Sequence, residues 1–314
     1  MISFVIPVYN EEESLAILHG EIVRHAEATG ESFEIVFVDD GCTDRSWSTI
    51  RDLASRDARV RGIRFRRNFG KAAALSAGFA AAKGEIVFTL DADLQDDPAE
   101  IPKFLSVMAE GKDVVSGWKK IRHDPWHKTM PSLVFNNLVS WLTGVSLHDH
   151  NCGFKSYRSE IFKEVRLYGE LHRFIPVLAA ARGFRIGEVV VEHRARRFGY
   201  SKYGVRRIVK GFLDLLTVKF LTGFGQRPQH LLGSIGLVSF LLGNLGMAWL
   251  AGTWVWRLWD PERFLPIHER ALTIYSMAAL LLGAQFMSIG FLAEMITAFM
   301  GRDIESYSIV EKTE

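Results

Sequence analysis

Apolar and polar positions alternate in two recurring patterns over the first 120 residues. Residues 3–8, 33–38 and 85–90 are short apolar runs, the mark of strands buried on both faces, and residues 60–65 are strand-like. Between them, Leu15, Leu18, Ile22 and Val23 recur at helical spacing. Asn10 with Glu13 three positions on predicts a capping box, and Gly30 a helix stop. Residues 46–54 are predicted helical. So is the Ala-rich stretch 71–83, whose small side chains allow close approach to a sheet. Pro98 opens a further helix where proline is tolerated, and Val114 and Val115 begin another strand. Strand followed by helix, repeated, predicts an α/β fold with a mainly parallel sheet covered on both faces.

The remainder of the chain follows a different pattern. Residues 231–256 run for 26 positions without a charge and residues 271–293 for 23. Each exceeds the roughly 20 apolar residues that cross a bilayer as a helix. The linker 257–270 holds Pro261 and Pro266 and is too short to be a domain. Arg206, Arg207, Lys210, Lys219 and Arg227 precede the first span, Arg302 and Lys312 follow the second, and the linker carries Arg257, Arg263 and Arg270. That bias predicts a hairpin with both termini in the cytoplasm. Trp249, Trp254, Trp256 and Trp259 cluster at the far end of the first span, where indoles favour the interface. Met1 to Pro7 lacks the features of a signal peptide. The predicted organisation is a cytoplasmic domain over 1–204, an amphipathic juxtamembrane segment over 205–230, a two-helix hairpin over 231–300 and a cytoplasmic tail over 301–314.

Composition narrows the function classes. With 38 Lys and Arg against 36 Asp and Glu in 314 residues, a net charge of +2 gives no general attraction to nucleic acid. The run Arg61, Arg64, Arg66 and Arg67 reads as a solvated strand edge. Cys42 and Cys152 stand far apart with no CxxC, which excludes a zinc ladder or a disulfide scaffold. No GxGxxG follows the first strand and no GxxxxGK[ST] occurs, weakening a nicotinamide enzyme and a P-loop hydrolase alike.

Ligands of open α/β sheets bind beyond the carboxyl ends of the strands. Tyr9, Asn10 and Glu11 fall there, as do Asp39 and Asp40, and then Asp91 and Asp93. In Asp91-Ala92-Asp93-Leu94-Gln95 the two acids stand at i and i+2 of an extended segment, so both can face one cation. Oxygen-only donors select Mg²⁺ or Mn²⁺, which complete their shells with phosphate oxygens. The bland alternative is that Asp93, Asp96 and Asp97 cap the helix near Pro98. Asp39-Asp40-Gly41 is either a plain turn or a carboxylate placed to accept from a ribose hydroxyl or a base N–H.

Phe4-Val5-Ile6-Pro7-Val8-Tyr9-Asn10-Glu11, Val38-Asp39-Asp40-Gly41, Arg67-Asn68-Phe69-Gly70-Lys71 and Asp91-Ala92-Asp93-Leu94-Gln95 together resemble the family 2 glycosyltransferases of GT-A, Rossmann-like fold. His148-Asp149-x-x-Cys152-Gly153-Phe154-Lys155, Arg196-x-x-Gly199-x-Ser201-Lys202-Tyr203 and the two-span ending narrow the resemblance to the polyprenyl-phosphate branch. That branch contains dolichyl-phosphate mannose synthases and bacterial undecaprenyl-phosphate sugar transferases. No Gln-x-x-Arg-Trp occurs, unlike the processive polysaccharide synthases of the superfamily.

The resemblance implies that Pro7, Tyr9, Glu11, Val38 and Asp40 line a nucleoside pocket, with Ala92 touching the nucleotide. It implies that Asp91, Asp93 and Gln95 hold a divalent cation, Mg²⁺ or Mn²⁺. Arg196, Ser201 and Lys202 resemble a loop closing over the donor. Arg122, Lys128 and Ser132 align with residues that hold the acceptor phosphate, and Asp91, Asp93 and Arg122 are the implied catalytic set. Arg67 and Lys71, inside a family motif, are placed to approach the donor.

The activity so implied is inverting transfer of one sugar to a polyprenyl phosphate at the cytoplasmic face of the inner membrane. UDP-glucose and undecaprenyl phosphate are the first expectation; GDP-mannose and UDP-4-formamido-arabinose are the alternative donors. A non-catalytic lipid-linked sugar transport subunit is the rival, and the anchor leaves a homo-oligomer open. Residues 122–145 and 205–224 read either as core helices or as helices lying at the membrane surface. His148 and His193 read as structural or solvent-facing residues, and Cys152 as a packing residue. Glu294, late in the second span, either snorkels, pairs with a neighbouring helix or marks the interface.

Overall fold

The computed structural model describes residues 1–120, 126–165, 167, 171–194, 206–224 and 227–300. The chain divides into two compact units, Met1–Lys219 and a second beginning at Phe220. In the first unit β1 (Ile2–Val8), β2 (Phe33–Asp39), β3 (Val60–Arg64) and β4 (Ile86–Thr89) are joined by α1 (Leu15–Glu27), α2 (Ser46–Arg56) and α3 (Lys71–Ala81). Then come α4 (Ile101–Ala109), β5 (Val114–Trp118), α5 (Trp126–Thr143), β6 (Lys155–Arg158), α6 (Ile161–Glu164), α7 (Ile175–Ala181), β7 (Ile186–Val190) and α8 (Arg206–Phe224). The seven strands form one sheet in the order β3-β2-β1-β4-β6-β5-β7. All pairings are parallel except those of β6, which runs antiparallel to both β4 and β5.

Two apolar layers explain why β1 and β2 read as unbroken runs. Phe4, Ile6 and Val8 of β1 face a cluster with Leu15, Leu18 and Ile22 of α1 and Ile101 and Phe104 of α4. Val5, between them, faces the opposite layer with Val36 and Val38 of β2 and Ala74 and Leu75 of α3. The small residues of α3 do allow close approach: a Cβ on Gly78 would lie 2.2 Å from Val5 Cγ1.

Two local expectations are corrected, and two strands were not anticipated. Asn10 does not cap α1, which begins at Leu15 behind Ser14. Its backbone instead turns at φ 55°, and its Oδ1 accepts from Thr43 N–H at 2.9 Å, so it ties together the loops after β1 and β2. Pro98 opens a three-residue 3-10 turn, Pro98–Glu100, and the α-helix starts only at Ile101. Neither β6 nor β7 figured among the expected strands, although β7 runs into the apolar stretch Val189, Val190 and Val191. β6 is Lys-Ser-Tyr-Arg, and its Lys155 is buried with Nζ donating to the carbonyls of His150 (3.1 Å) and Cys152.

A third apolar cluster joins Val139 of α5, Leu171, Phe174 and Val177 around the start of α7, and Leu215 and Val218 of α8. Other apolar side chains of the same helices are exposed, among them Leu133, Val134 and Trp141 on α5 and Phe212, Leu213 and Leu216 on α8. These helices thus combine a core side with an uncovered apolar side.

The second unit is dominated by α9 (Pro228–Arg257) and α10 (Ala271–Met300). Both are long and apolar enough to cross a membrane, and only 11% and 17% of their most apolar stretches are buried within the protein, unlike the core helices of a soluble domain. Their backbones approach closely. A Cβ at Gly283 would lie 2.4 Å from Phe240 N, and one at Gly243 2.6 Å from Leu280 N, the small-residue packing common between helices in lipid. Glu294 pairs within this hairpin, its Oε2 accepting from Gln229 N–H at 3.1 Å in the first turn of α9.

Candidate functional site

The carboxyl ends of β1, β2 and β4 enclose a cleft of about 270 Å³ lined by Pro7, Val8, Tyr9, Glu11, Asp40, Asn68, Gly70, Lys71, Asp91, Ala92 and Asp93. Hydrogen bonds between the loops hold its rim. Asp40 N–H donates to Val8 C=O at 2.9 Å, Glu11 N–H to Ser46 Oγ at 2.9 Å, and Arg45 N–H to Glu12 Oε2 at 2.7 Å. The loop 67–70 is held from below: Asp40 Oδ1 accepts from Phe69 N–H at 2.7 Å and Oδ2 from Gly70 N–H at 3.0 Å. Burial pushes the Asp40 carboxyl upward from its ordinary value, and these two N–H donors offset part of that rise.

Asp91 and Asp93 stand just past β4. Asp93 is buried to 9% exposure, and its Oδ1 accepts from Gln95 N–H at 3.2 Å. Asp91 pairs with the ammonium of Lys71, the first residue of α3. Gly153 backs Asp91 so tightly that a Cβ there would lie 2.7 Å from Oδ2. Burial alone would push the Asp91 carboxyl up. Lys71 on its surface, with Lys119 further off, holds it down to about 2. Lys119 itself is held charged against burial by Asp96, 2.8 Å away.

The structure brings Pro7, Tyr9, Glu11, Asp40, Asp91, Ala92 and Asp93 to one cavity. It places two of the expected residues elsewhere. Val38 is fully buried in the layer beneath α3, behind the cavity wall. Gln95 is not among the residues lining the cavity: Leu94 before it adopts φ 60°, a left-handed conformation uncommon for leucine, and Gln95 Nε2 lies 3.2 Å from His193 Nε2. Ser132 lies on α5. Arg122, Arg196, Ser201 and Lys202 lie outside the described residues, as does the side chain of Lys128. The capping alternative is realised by Asp97, which accepts from Ala99 N–H at 2.9 Å and pairs with Arg194 at 2.6 Å. Lys119 and His172, close enough to act on Asp91 electrostatically, carried no sequence signal: they are distant in the chain and meet it only through the fold.

The donor set fits a hard divalent cation. Asp91 and Asp93 offer oxygen only, and a cationic group, the Lys71 ammonium, already stands on Asp91. Among the described residues no three His, Cys, Asp or Glu side chains converge as a metal cage. Two carboxylates suit Mg²⁺ or Mn²⁺, which leave much of their shell to water and phosphate, and do not suit zinc.

Two residues of the neighbouring motif are buried and inert. Burial pushes the Cys152 thiol up to about 12, the opposite of a nucleophile. Burial also lowers His150 to about 4, its Nε2 meeting Ser140 Oγ at 3.1 Å. A histidine lowered on folding costs stability as pH falls, because the unfolded chain takes up its proton first. The loss should run from pH 6.5 down to about 4 and amount to roughly 3 kcal/mol. His172, lowered well below 6.5 by burial and Lys71, acts in the same direction. His150→Gln should therefore flatten the fall in Tm between pH 7 and 4.5; superimposable profiles for variant and wild type would refute this.

Residues 3–166 match the family described as "Glycosyl transferase family 2". The chain is 37% identical over 310 residues to a dodecaprenyl-phosphate galacturonate synthase of Rhizobium johnstonii, covering 96% of this chain and 89% of that protein. It is 36% identical over 308 residues to an undecaprenyl-phosphate 4-deoxy-4-formamido-L-arabinose transferase of Edwardsiella ictaluri, covering 94% and 88%. Among solved structures, glucosyl-3-phosphoglycerate synthase from Mycobacterium tuberculosis, in complex with Mn²⁺, UDP and phosphoglyceric acid, superposes with a TM-score of 0.55. That likeness covers 71% of this chain and 78% of the other at 19% identity, and it shows a shared fold, the GT-A fold.

Proposed function

Since this chain belongs to glycosyl transferase family 2, we propose that it moves a single sugar from a nucleotide sugar onto a polyprenyl phosphate at the cytoplasmic face of the inner membrane. One observation carries the reading. Similarity to polyprenyl-phosphate sugar transferases runs over 96% of the chain, and so includes both the acidic cleft and the two bilayer-length helices.

The residues divide the work on physical grounds. A lipid phosphate with a second pKa of roughly 6 is already mostly dianionic near neutral pH, so it needs orientation and charge screening more than a base. Its oxygen forms the new bond to the anomeric carbon as the bond to the diphosphate oxygen breaks, which inverts the configuration. Asp91 and Asp93 hold the divalent cation, which when bound supplies charge compensation for the departing diphosphate. Asp93 therefore serves the leaving group and does not abstract a proton. Pro7, Tyr9, Glu11 and Asp40 contact the nucleoside. Arg122, Lys128 and Ser132 receive the acceptor phosphate, and Arg196, Ser201 and Lys202 close over the donor. The exposed apolar sides of α5 and α8 rest against the membrane surface and bring the lipid head to the cleft.

The names of the relatives favour galacturonate or 4-formamido-arabinose over glucose as the transferred sugar. No observation favours the transport-subunit alternative. The test is nucleotide release by detergent-solubilised full-length protein with undecaprenyl phosphate, Mg²⁺ or Mn²⁺, and a donor panel. UDP-galacturonate or UDP-4-formamido-arabinose should release UDP faster than UDP-glucose or GDP-mannose, and a chelator should stop release. Turnover of GDP-mannose in preference to every UDP-sugar would overturn the donor assignment. Turnover unaffected by chelator would overturn the cation.

A further inference from the structure

We propose that Lys71 is the resident counter-ion of the cation site: it holds Asp91 while no divalent cation is bound, yields that carboxylate when one binds, and then faces the donor diphosphate. The inference rests on the reading above that Asp91 and Asp93 hold a cation.

Geometry separates Lys71 from its neighbours. Its ammonium is on Asp91 Oδ1, both side chains are about one-third exposed (34% and 33%), and both line the cleft. Lys119 is fastened to Asp96 at 2.8 Å with a side chain only 16% exposed. Lys155 is buried on the carbonyls of His150 and Cys152. Gly153 lies beside the Asp91 carboxylate, close enough that a Cβ there would come within 2.7 Å of Oδ2. An ammonium and a dication on one carboxylate repel each other. The group that moves is the one on a flexible four-carbon stem at the cavity wall. Once displaced, Lys71 remains on that wall, where the diphosphate is the anion that next enters.

A consequence follows for binding order. The cation competes with Lys71 when it binds alone, and nucleotide relieves that competition by accepting Lys71, so cation and nucleotide tighten each other reciprocally. Free Mn²⁺ measured by electron paramagnetic resonance, with and without UDP, reads this directly on the full-length protein in detergent. Lys71→Met should bind Mn²⁺ alone about tenfold more tightly than wild type, and the factor by which UDP tightens Mn²⁺ should fall about tenfold. Lys71→Gln should repeat the result in a second background, and Lys71→Arg, which keeps the charge, should keep the wild-type order. Thermal unfolding confirms that each variant is folded. If Asp91→Asn loses Mn²⁺ while Lys71→Met and Lys71→Gln bind it and couple it to UDP as wild type does, the counter-ion role is wrong and the cation site stands. If Asp91→Asn binds Mn²⁺ as wild type does, the cation reading itself fails and takes this inference with it.

Discussion

Asp93→Asn is expected to lower kcat/KM for sugar transfer by roughly 10²–10³-fold, the scale on which removing one preorganised electrostatic contact to a developing charge is felt. The substitution keeps the shape of the side chain and the oxygen that accepts from Gln95 N–H, so the fold should survive. What it removes is the negative charge of a buried carboxylate on the cleft wall. Gln95→Ala provides the contrast. Its amide is engaged with His193 and does not line the cleft, so its loss should cost under tenfold, an order of magnitude less than Asp93→Asn. Steady-state rates at saturating Mg²⁺ with thermal unfolding as control decide between them. Wild-type turnover by Asp93→Asn would remove Asp93 from the chemistry, and equal losses at both positions would return Gln95 to the cation.

Gly41→Ala should be the most disruptive single methyl group near the site. Gly41 sits at φ 72°, where a Cβ costs about 1–2 kcal/mol. That Cβ would also lie 2.3 Å from Arg67 C and 2.4 Å from Asn68 N, both backbone atoms that cannot turn aside. Overpacking of this kind adds about 1–3 kcal/mol. Together they should lower Tm by roughly 5–15 °C for a unit of this size. The loop that must move is the one Asp40 holds through Phe69 and Gly70, and it leads directly into Lys71. UDP affinity should therefore fall along with stability. A variant with unchanged Tm and unchanged UDP binding would mean that the loop is not braced in this way.

How much of this was legible in the sequence depended on whether a residue's role was local. β1 and β2 declared themselves because both faces are covered, leaving no polar alternation to blur them. Asp91 and Asp93 were legible by position: both follow a buried strand and line the cleft, although the chain turns at Ala92 and Asp93 and is not extended there. Gln95 came from the family motif alone; it follows Leu94, whose backbone is left-handed, its amide meets His193, and it is not among the residues lining the cleft. Val38 also came from the family motif, and an apolar residue at a strand end looks alike whether it faces a ligand or, as its side chain does here, the α3 side of the core. β6 could not be read at all. Of Lys-Ser-Tyr-Arg only Tyr157 is a core side chain, and Lys155 is tolerated inside because two carbonyls, supplied by its own preceding loop, receive its ammonium. The pairing of Lys71 with Asp91 and the proximity of Lys119, just past β5, and His172, just before α7, are tertiary facts made only by the fold. Glu294 had three readings from its position in the span, and its hydrogen bond to Gln229 N–H selects pairing within the hairpin.

The central claim is that the anionic acceptor is a polyprenyl phosphate. Its most direct test is the mass of the lipid extracted after incubating the full-length protein with undecaprenyl phosphate, Mg²⁺ and its preferred donor. The account requires a new species heavier than the acceptor by one sugar residue, formed one for one with nucleoside diphosphate and absent with Asp93→Asn. Nucleoside diphosphate released with free sugar and an unchanged lipid mass would contradict it.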